Sequence, residues 1–196
     1  MVQQVAYFVG LDLGQVNDFT ALAVLERPSL HPWGPRPIFD LRHLQRFPLG
    51  TPYPQIVQAV RELLLRPALR DASLVVDQTG VGRAVVDMLW DELRGQVPCH
   101  FTAVTITGGH AVTNPANGCL HVPKKELVGA VQVLLQSRRL RIAQTLPEAP
   151  VLVKELDNFR VKITEAANET FGAWREGQHD DLVFATALAA FMALRV

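Results

Sequence analysis

Residues 6–14 read Ala-Tyr-Phe-Val-Gly-Leu-Asp-Leu-Gly, in which 6–13 predict a buried strand with Asp12 near its end and a turn from Gly14. Residues 20–26 are mostly apolar and predict a second strand, because turn-forming residues separate the two. A carboxylate at the end of a buried strand is costly unless it is paired, hydrogen-bonded or bound to a cation. Asp12 therefore needs a partner that the strand itself does not supply.

The remaining segments predict an α/β domain with a mixed five-stranded sheet and helices on its faces. A third strand near 38–46 would complete an antiparallel meander, and strands at 74–77 and 101–106 would add a parallel part. The other predicted elements are helices at 51–65, 82–93, from Pro123 onward, 147–159 and 180–194, a long loop at 107–119, a short edge strand at 139–143 and an irregular hairpin at 158–173.

Composition and charge limit the classes of protein to which the chain can belong. At 196 residues, with 48% hydrophobic and 19% charged residues, it is long and apolar enough for one domain with a proper core. Lys plus Arg and Asp plus Glu are 19 each, and this neutral balance argues mildly against tight DNA binding by the chain on its own. Cys99 and Cys119 form neither a CxxC pair nor a disulfide framework, which indicates a reduced, intracellular chain.

The sequence predicts no targeting segment and no membrane partner. The first ten residues have no basic region and run directly into the strand that ends at Asp12, so they do not resemble a signal peptide. The most apolar helix, at 180–194, opens with two aspartates and contains Thr186. We therefore expect it to be a buried core helix.

Three acidic motifs lie where an apolar run meets a turn or a helix start: Asp12, Asp77 within Val-Val-Asp-Gln-Thr-Gly-Val-Gly, and His-Asp-Asp at 179–181. Asp12 and Asp77 should end neighbouring parallel strands, at the point where strand order reverses and ligand sites form. A helix N-terminus favours ionised carboxylates at 180–181. We expect these acids to converge into an all-oxygen pocket for two divalent cations, which could clamp a phosphate and activate water.

Each motif also has a purely structural explanation. Asp12 could form a turn before Gly14, and Asp77 could hydrogen-bond the turn that follows it. The two aspartates at 180–181 could be ordinary first-turn acids, and His179 could be an N-cap or a supporting residue. The presence of all three motifs together is what favours a cation site.

Four motifs in this order resemble the nuclease domain of tailed-bacteriophage terminase large subunits, which has an RNase H-like (RuvC-type) fold. The resemblance runs from residue 7 to about residue 192. The motifs are Gly-Leu-Asp-Leu-Gly-x3-Asp-x-Thr-Ala (10–21), Val-Asp-x-Thr-Gly-Val-Gly (76–82), Val-Pro-Lys-Lys-Glu-Leu-Val (122–128) and His-Asp-Asp-Leu-Val (179–183).

The resemblance implies an endonuclease that uses two divalent cations, Mg²⁺ or Mn²⁺, to cut duplex viral DNA during genome packaging. By the same resemblance Asp12, Asp77 and Asp181 are catalytic and bind metal, and Asp180 is a further ligand. It implies as partners double-stranded DNA, a packaging ATPase domain, the portal and the small terminase subunit. The implied location is the cytoplasm of the bacterial host.

The remaining candidate residues have supporting or DNA-binding roles. Asp18 matches an accessory acid of the family, and His179 is treated as accessory. Lys124 and Lys125 match a basic helix start near the DNA, although a solvated surface would also explain them. Arg138 and Arg139 form a basic cluster after the same helix that could follow a DNA backbone, or could simply be a solvated face.

Two departures from the family pattern qualify these expectations. Many relatives have a further acid three residues after the position of Asp181, where this chain has Phe184, so Asp180 is expected to replace it. The chain also has no GxxxxGK[ST] motif. It is therefore expected to be a single nuclease domain over 1–196 without the packaging motor, either excised or separately encoded.

Three other functions remain open from the sequence. An actin-like or sugar-kinase-like ATP-binding domain also has a phosphate loop after its first strand, but that fold usually needs two such domains; a fluorescent nucleotide would distinguish it. A Holliday-junction resolvase would be expected to dimerise and to prefer four-way junctions. A non-catalytic DNA-docking module is favoured by Phe184 and opposed by the intact acids at Asp12, Asp77 and Asp181.

Overall fold

A seven-stranded mixed sheet forms the centre of the computed structural model, which describes residues 5–14, 18–28, 36–80, 83–115, 118–166 and 179–196 and, for 160–166, the backbone only. The strands in chain order are β1 (Val5–Asp12), β2 (Ala21–Pro28), β3 (Phe39–Arg46), β4 (Ala72–Asp77), β5 (Cys99–Thr107), β6 (Cys119–Pro123) and β7 (Leu140–Ile142). Their order across the sheet is β6-β5-β4-β1-β2-β3-β7. β1, β2 and β3 form the antiparallel meander, and the other neighbours pair in parallel.

Five α-helices cover the two faces of the sheet across the described ranges. They are α1 (Tyr53–Leu64), α2 (Arg83–Leu93), α3 (Lys124–Gln136), α4 (Ala149–Ala166) and α5 (Asp181–Arg195), and a short 3₁₀ turn lies at Pro67–Leu69. α1 and α2 share one hydrophobic core with one face of the sheet, and α3, α4 and α5 share a second core with the other face. β1 contributes to both cores, with Phe8 on the α5 side and Leu11 on the α1 side.

The expected α/β class and meander are confirmed, and the sheet has seven strands instead of five. β7 corresponds to the edge strand predicted at 139–143. β6 was missed because it begins at the end of the segment predicted as a long loop, 107–119, and is only five residues long. It pairs in parallel with β5 and extends the sheet beyond the predicted edge.

The predicted hairpin at 158–173 is wrong where the structure describes it, because 158–166 continue α4. Leu152, Leu156 and Phe159 follow a helical spacing and are all buried in the α5-side core. The rest of that segment, from 167 onward, lies outside the described residues.

α5 packs directly across β1 at Gly10. A Cβ atom on Gly10 would lie 1.9 Å from the carbonyl oxygen of Ala185 and 2.9 Å from the backbone nitrogen of Ala189. Only a glycine lets the helix come this close to the strand. α5 is buried along most of its length, as expected of a core helix. Within the described part of the chain, no helix combines the length and apolarity that a membrane crossing requires.

Candidate metal centre

Asp12 and Asp77 are the last residues of β1 and β4 and are direct register partners in the parallel pair. Neighbouring strands lie about 4.8 Å apart, so the two carboxylates leave the same edge of the sheet side by side. β1 is also the strand at which the sheet changes from antiparallel to parallel pairing. Its carboxyl end is therefore the place where the topology predicts a ligand site.

α5 brings the third acidic motif to the same edge. The helix begins at Asp181, one turn before Ala185, and Ala185 lies against Gly10, two residues before Asp12. One helical turn is about 5.4 Å and two strand residues are about 6.8 Å. Asp181 and Asp12 therefore lie at similar distances from the contact between Ala185 and Gly10. Asp180 is the N-cap residue, and its side chain makes no capping hydrogen bond.

The acids interact electrostatically. Asp12 keeps some exposure to solvent, but burial of its carboxylate and repulsion by Asp77, Asp181, Asp180 and Asp18 raise its pKa well above the usual range. These carboxylates therefore disfavour one another's charged state in the absence of a cation.

Asp77 and Asp181 are themselves shielded from solvent, with exposures of 6% and 5%. Burial raises the pKa of Asp77, although hydrogen bonds from Thr79 act in the opposite direction. Burial also raises the pKa of Asp181 to about 6, even though the positive charge of Arg46 lowers it. A divalent cation among these groups would act in the opposite direction and favour their ionised forms.

Asp77 also has the structural role that its sequence suggested. The backbone N–H of Thr79 donates to Asp77 Oδ1 at 2.7 Å, and Gly80 follows with a φ of 86°. This turn fixes the carboxylate at the strand end through one of its oxygens. The turn and a cation site are therefore compatible.

Arg46 is a site residue that the sequence analysis missed. It is the register partner of Ala21, which is in turn the partner of Asp12, so Arg46, Asp12 and Asp77 lie in one row across four strands. Register partners project from the same face of a sheet. Arg46 Nη2 lies 3.8 Å from Asp181 Oδ2. Its guanidinium carbon lies 4.6 Å from the centre of the Phe19 ring.

Glu155 is the second missed residue. It lies on α4, is 6% exposed and forms an ion pair with Arg46. Its Oε2 accepts a hydrogen bond of 3.2 Å from the backbone N–H of Val183, in the first turn of α5. Burial raises the pKa of Glu155 to about 7, against the opposing effects of Arg46 and of Val183.

The accessory candidates lie around Asp181. His179 Nδ1 is 3.8 Å from Asp181 Oδ2, and its ring packs edge-on against Phe19 at 4.8 Å. Asp18 acts on Asp12 and Asp181 through its charge. The N-cap of α5 is Asp180, so His179 does not cap the helix.

The basic candidates lie at the two ends of α3, about 20 Å apart for a helix of this length. Lys124 and Lys125 follow β6, whose carboxyl end lies at the same sheet edge as those of β1 and β4. Lys124 Nζ is 4.9 Å from the centre of the Phe184 ring, and Lys125 Nζ is 3.5 Å from His110 Nδ1.

Arg138 and Arg139 follow the other end of α3, so the structure does not gather the four basic residues into one patch. Arg139 donates a hydrogen bond to the carbonyl of Pro37 at 2.8 Å. Its guanidinium carbon also lies 5.2 Å from the centre of the Phe39 ring. Arg139 therefore has structural partners of its own.

The acids fit a divalent cation by their chemistry. Carboxylate oxygens are the ligands that Mg²⁺ and Mn²⁺ prefer, and Asp181 Oδ2 is buried without a hydrogen bond. Among the residues that the structure describes, no three Asp, Glu, His or Cys side chains are already arranged to enclose a metal ion. Because like charges repel, binding would require the side chains of Asp12, Asp180 and Asp181 to turn toward the cation, whereas Thr79 holds that of Asp77.

Two solved structures share the fold of this chain. The large terminase nuclease from thermophilic phage G20c superposes with a TM-score of 0.58 at 20% identity, covering 95% of this chain and 81% of that one. The human cytomegalovirus terminase nuclease domain, solved after a Mn soak, gives 0.56 at 13% identity, covering 96% and 83%. No protein-family model and no curated protein sequence matches the chain. The resemblance drawn from the motifs is therefore confirmed for the fold, which is that of the RNase H-like terminase nucleases.

Proposed function

We propose that this chain is a metal-dependent endonuclease that hydrolyses phosphodiester bonds of duplex viral DNA, as the nuclease of a terminase large subunit. The observation that carries the proposal is the pairing of Asp12 with Asp77 at adjacent strand ends, with Asp181 placed beside them by α5. The fold shared with terminase nuclease domains supports it.

Each acid of the centre has a role in this proposal. Asp12, Asp77 and Asp181 hold two divalent cations, Mg²⁺ or Mn²⁺, and Asp180 is the additional ligand in place of the acid that Phe184 replaces. Such ions, when bound, orient the scissile phosphate, activate water and stabilise the leaving oxygen. Asp77 is held by its turn with Thr79, so its carboxylate keeps one orientation. Asp18 and His179 support the centre from outside.

The proposed DNA contact begins at α3. Lys124 and Lys125 lie at the sheet edge that carries the acids, so their ammonium groups can contact phosphates on either side of the cut. Arg138 and Arg139 would contact the duplex only if it follows α3 along its whole length.

The net charge of zero indicates that a partner delivers the DNA. We propose the packaging ATPase domain for that role, with the portal and the small terminase subunit completing the assembly in the host cytoplasm. In this proposal the nuclease domain over 1–196 supplies the cutting step.

The test is cleavage of supercoiled plasmid with Mg²⁺, Mn²⁺ or EDTA. We expect nicked and linear products with either metal and none with EDTA. Asp77→Asn should reduce the rate at least about 100-fold, the upper figure for partners of metal ligands. The matched control is Asp87→Asn, which changes an exposed acid paired with Arg83 on α2 and should keep wild-type activity.

Two outcomes would contradict the proposal. Unchanged metal-dependent cleavage by Asp77→Asn would show that the site is elsewhere. Failure of the wild-type chain to cut with any divalent metal, while still binding DNA, would favour a docking module instead.

A further inference from the structure

The first turn of α5 donates a hydrogen bond to a side chain on another helix. An N-cap side chain usually accepts a hydrogen bond from the second or third backbone N–H of its own helix. Asp180 makes no such bond. The third N–H, that of Val183, donates instead to Glu155 Oε2 at 3.2 Å. α4 therefore fixes the helix turn that carries Asp181.

The same carboxylate also holds Arg46. The two side chains form an ion pair with exposures of 6% for Glu155 and 15% for Arg46. Arg46 additionally lies over the Phe19 ring, and its Nη2 lies 3.8 Å from Asp181 Oδ2. Its guanidinium is therefore bounded by Glu155, Phe19 and Asp181.

Both residues belong to elements that pack against α5, the helix that carries Asp181. Arg46 ends β3 in the same row as Asp12 and Asp77. Glu155 lies between Leu152 and Leu156 on the buried face of α4. The pair thus connects the sheet to the start of α5 at the point where Asp181 must be placed.

We propose that Glu155 and Arg46 are positioning residues of the metal centre, which hold the first turn of α5 and orient Asp181 toward Asp12 and Asp77. Glu155, on α4, acts as the capping acceptor for the Val183 N–H of α5. Arg46 balances the charge of Asp181 from the side opposite Asp12 and Asp77. Neither residue is a metal ligand in this proposal. The positioning role rests on the proposed metal-dependent function.

The test is a Mn²⁺ titration of the full chain, in which electron paramagnetic resonance measures the free ion. Glu155→Gln keeps an oxygen for the Val183 N–H but loses the ion pair, whereas Glu155→Ala loses both. We expect Mn²⁺ affinity to fall about 10-fold in the first and up to about 100-fold in the second, the range for groups that support metal ligands. Arg46→Lys should retain more affinity than Arg46→Ala, because it keeps a positive charge beside Asp181.

Two matched variants control for the changes of charge. Asp157→Asn alters an exposed acid on α4, and Arg42→Ala removes an exposed arginine from β3. Both should bind Mn²⁺ as the wild type does. Thermal denaturation of every variant ensures that binding is compared well below the unfolding transition.

The outcomes separate this proposal from the nuclease proposal. Variants at Glu155 and Arg46 that melt earlier but bind Mn²⁺ with unchanged affinity would overturn the positioning role, even if the chain cuts DNA. Loss of one bound ion per chain in Glu155→Gln would overturn it as well and make Glu155 a ligand. A wild type that binds Mn²⁺ but cuts no DNA would contradict the nuclease function alone, and one that binds no Mn²⁺ would overturn both.

Discussion

At the residue scale, every effect of the surroundings on the Asp12 carboxylate raises its pKa. Burial and four neighbouring acids all raise its pKa. An acid whose pKa is raised by folding stabilises the protein only at low pH, and that stability is lost as the pH rises through the raised pKa. Repulsion between the acids therefore destabilises the metal-free protein at neutral pH. The same concentration of negative charge is what favours binding of a cation.

We predict that Asp12→Asn raises the thermal midpoint of the EDTA-treated protein at pH 8. The uncharged amide has nearly the same shape and removes the repulsion from Asp77, Asp180 and Asp181. The gain should be roughly 2–4 °C for each kcal/mol of repulsion relieved. It should shrink as the pH is lowered toward 5, where the wild-type carboxylate is increasingly protonated. Differential scanning calorimetry at both pH values measures it.

The control for this prediction is Asp91→Asn, an exposed acid on α2. It should leave the midpoint unchanged at both pH values. A wild type that is more stable than Asp12→Asn at pH 8 without metal would contradict the repulsion argument. Addition of Mn²⁺ should stabilise the wild type more than the variant, because metal binding adds to folding free energy.

At the scale of elements, the contact between α5 and β1 sets the distance between two of the acids. Gly10 places the strand against the backbone of Ala185 and Ala189, and this packing carries Asp181 to the height of Asp12. The obstructing atoms are backbone atoms, which cannot rotate away as a side chain can. The sequence indicates the feature only as a glycine inside a strand.

We predict that Gly10→Ala destabilises the protein by about 3 kcal/mol or more, at the upper end of the range for overpacked cores. It should also weaken Mn²⁺ binding, because α5 must move outward and take Asp181 with it. Gly129→Ala in α3 is the matched control, since a Cβ there meets no atom within 4 Å. That change should stabilise the helix by about 0.5–1 kcal/mol. Urea denaturation at pH 7 measures both, and equal stability of Gly10→Ala and wild type would contradict the close approach.

Asp12 and Asp77 could be predicted from the sequence because each ends an apolar run, and Asp181 because an apolar helix begins there. Arg46 could not. A β-bulge lies between the pairs Leu25–Leu41 and Val24–His43. Alternation from Phe39 and Leu41 would direct residues 43 and 45 toward the α5-side core. The bulge directs Leu44 and Arg46 toward that core instead. Because the bulge inserts one residue, the alternation in the sequence does not predict the face on which Arg46 lies.

Glu155 was missed for a different reason. It lies beside Leu152 and Leu156 on the buried stripe of α4, where a carboxylate is costly without a partner. That position was a usable signal, since a charge on an apolar face needs an explanation. The partner, Arg46, is far away in sequence, so the pair emerges only from the fold.

For the whole molecule, the balance of charges determines how it could bind the DNA of the proposed function. A net charge of zero provides little general attraction, and the site edge itself carries several acids. Lys124 and Lys125 are the candidate DNA-contacting cations at that edge, since Arg46 is largely buried in its ion pair with Glu155. Association with DNA should therefore depend on those lysines and on bound cations.

We predict that duplex DNA binds more tightly in Ca²⁺ than in EDTA, because an oxygen-binding cation removes the repulsion between acids and phosphates. In Ca²⁺, Lys124→Ala and Lys125→Ala should each reduce the slope of log affinity against log salt by about 0.9, the value for one lost phosphate contact. Arg70→Ala is the control, since Arg70 precedes β4 at the opposite edge of the sheet. Fluorescence anisotropy of a labelled duplex measures the slopes, and an equal reduction by Arg70→Ala would contradict a localised contact.

The row of Arg46, Asp12 and Asp77, completed by Glu155 and Asp181, draws its members from five separate elements. None of these groups meets another through local chain contacts, so loops of very different length must close before the site exists. Such non-local assembly is slow and comes late in folding. A partly folded chain would therefore contain isolated acids but no complete centre, so the proposed nuclease activity should appear only with the native state. The topology itself would then keep immature copies of the protein from damaging DNA.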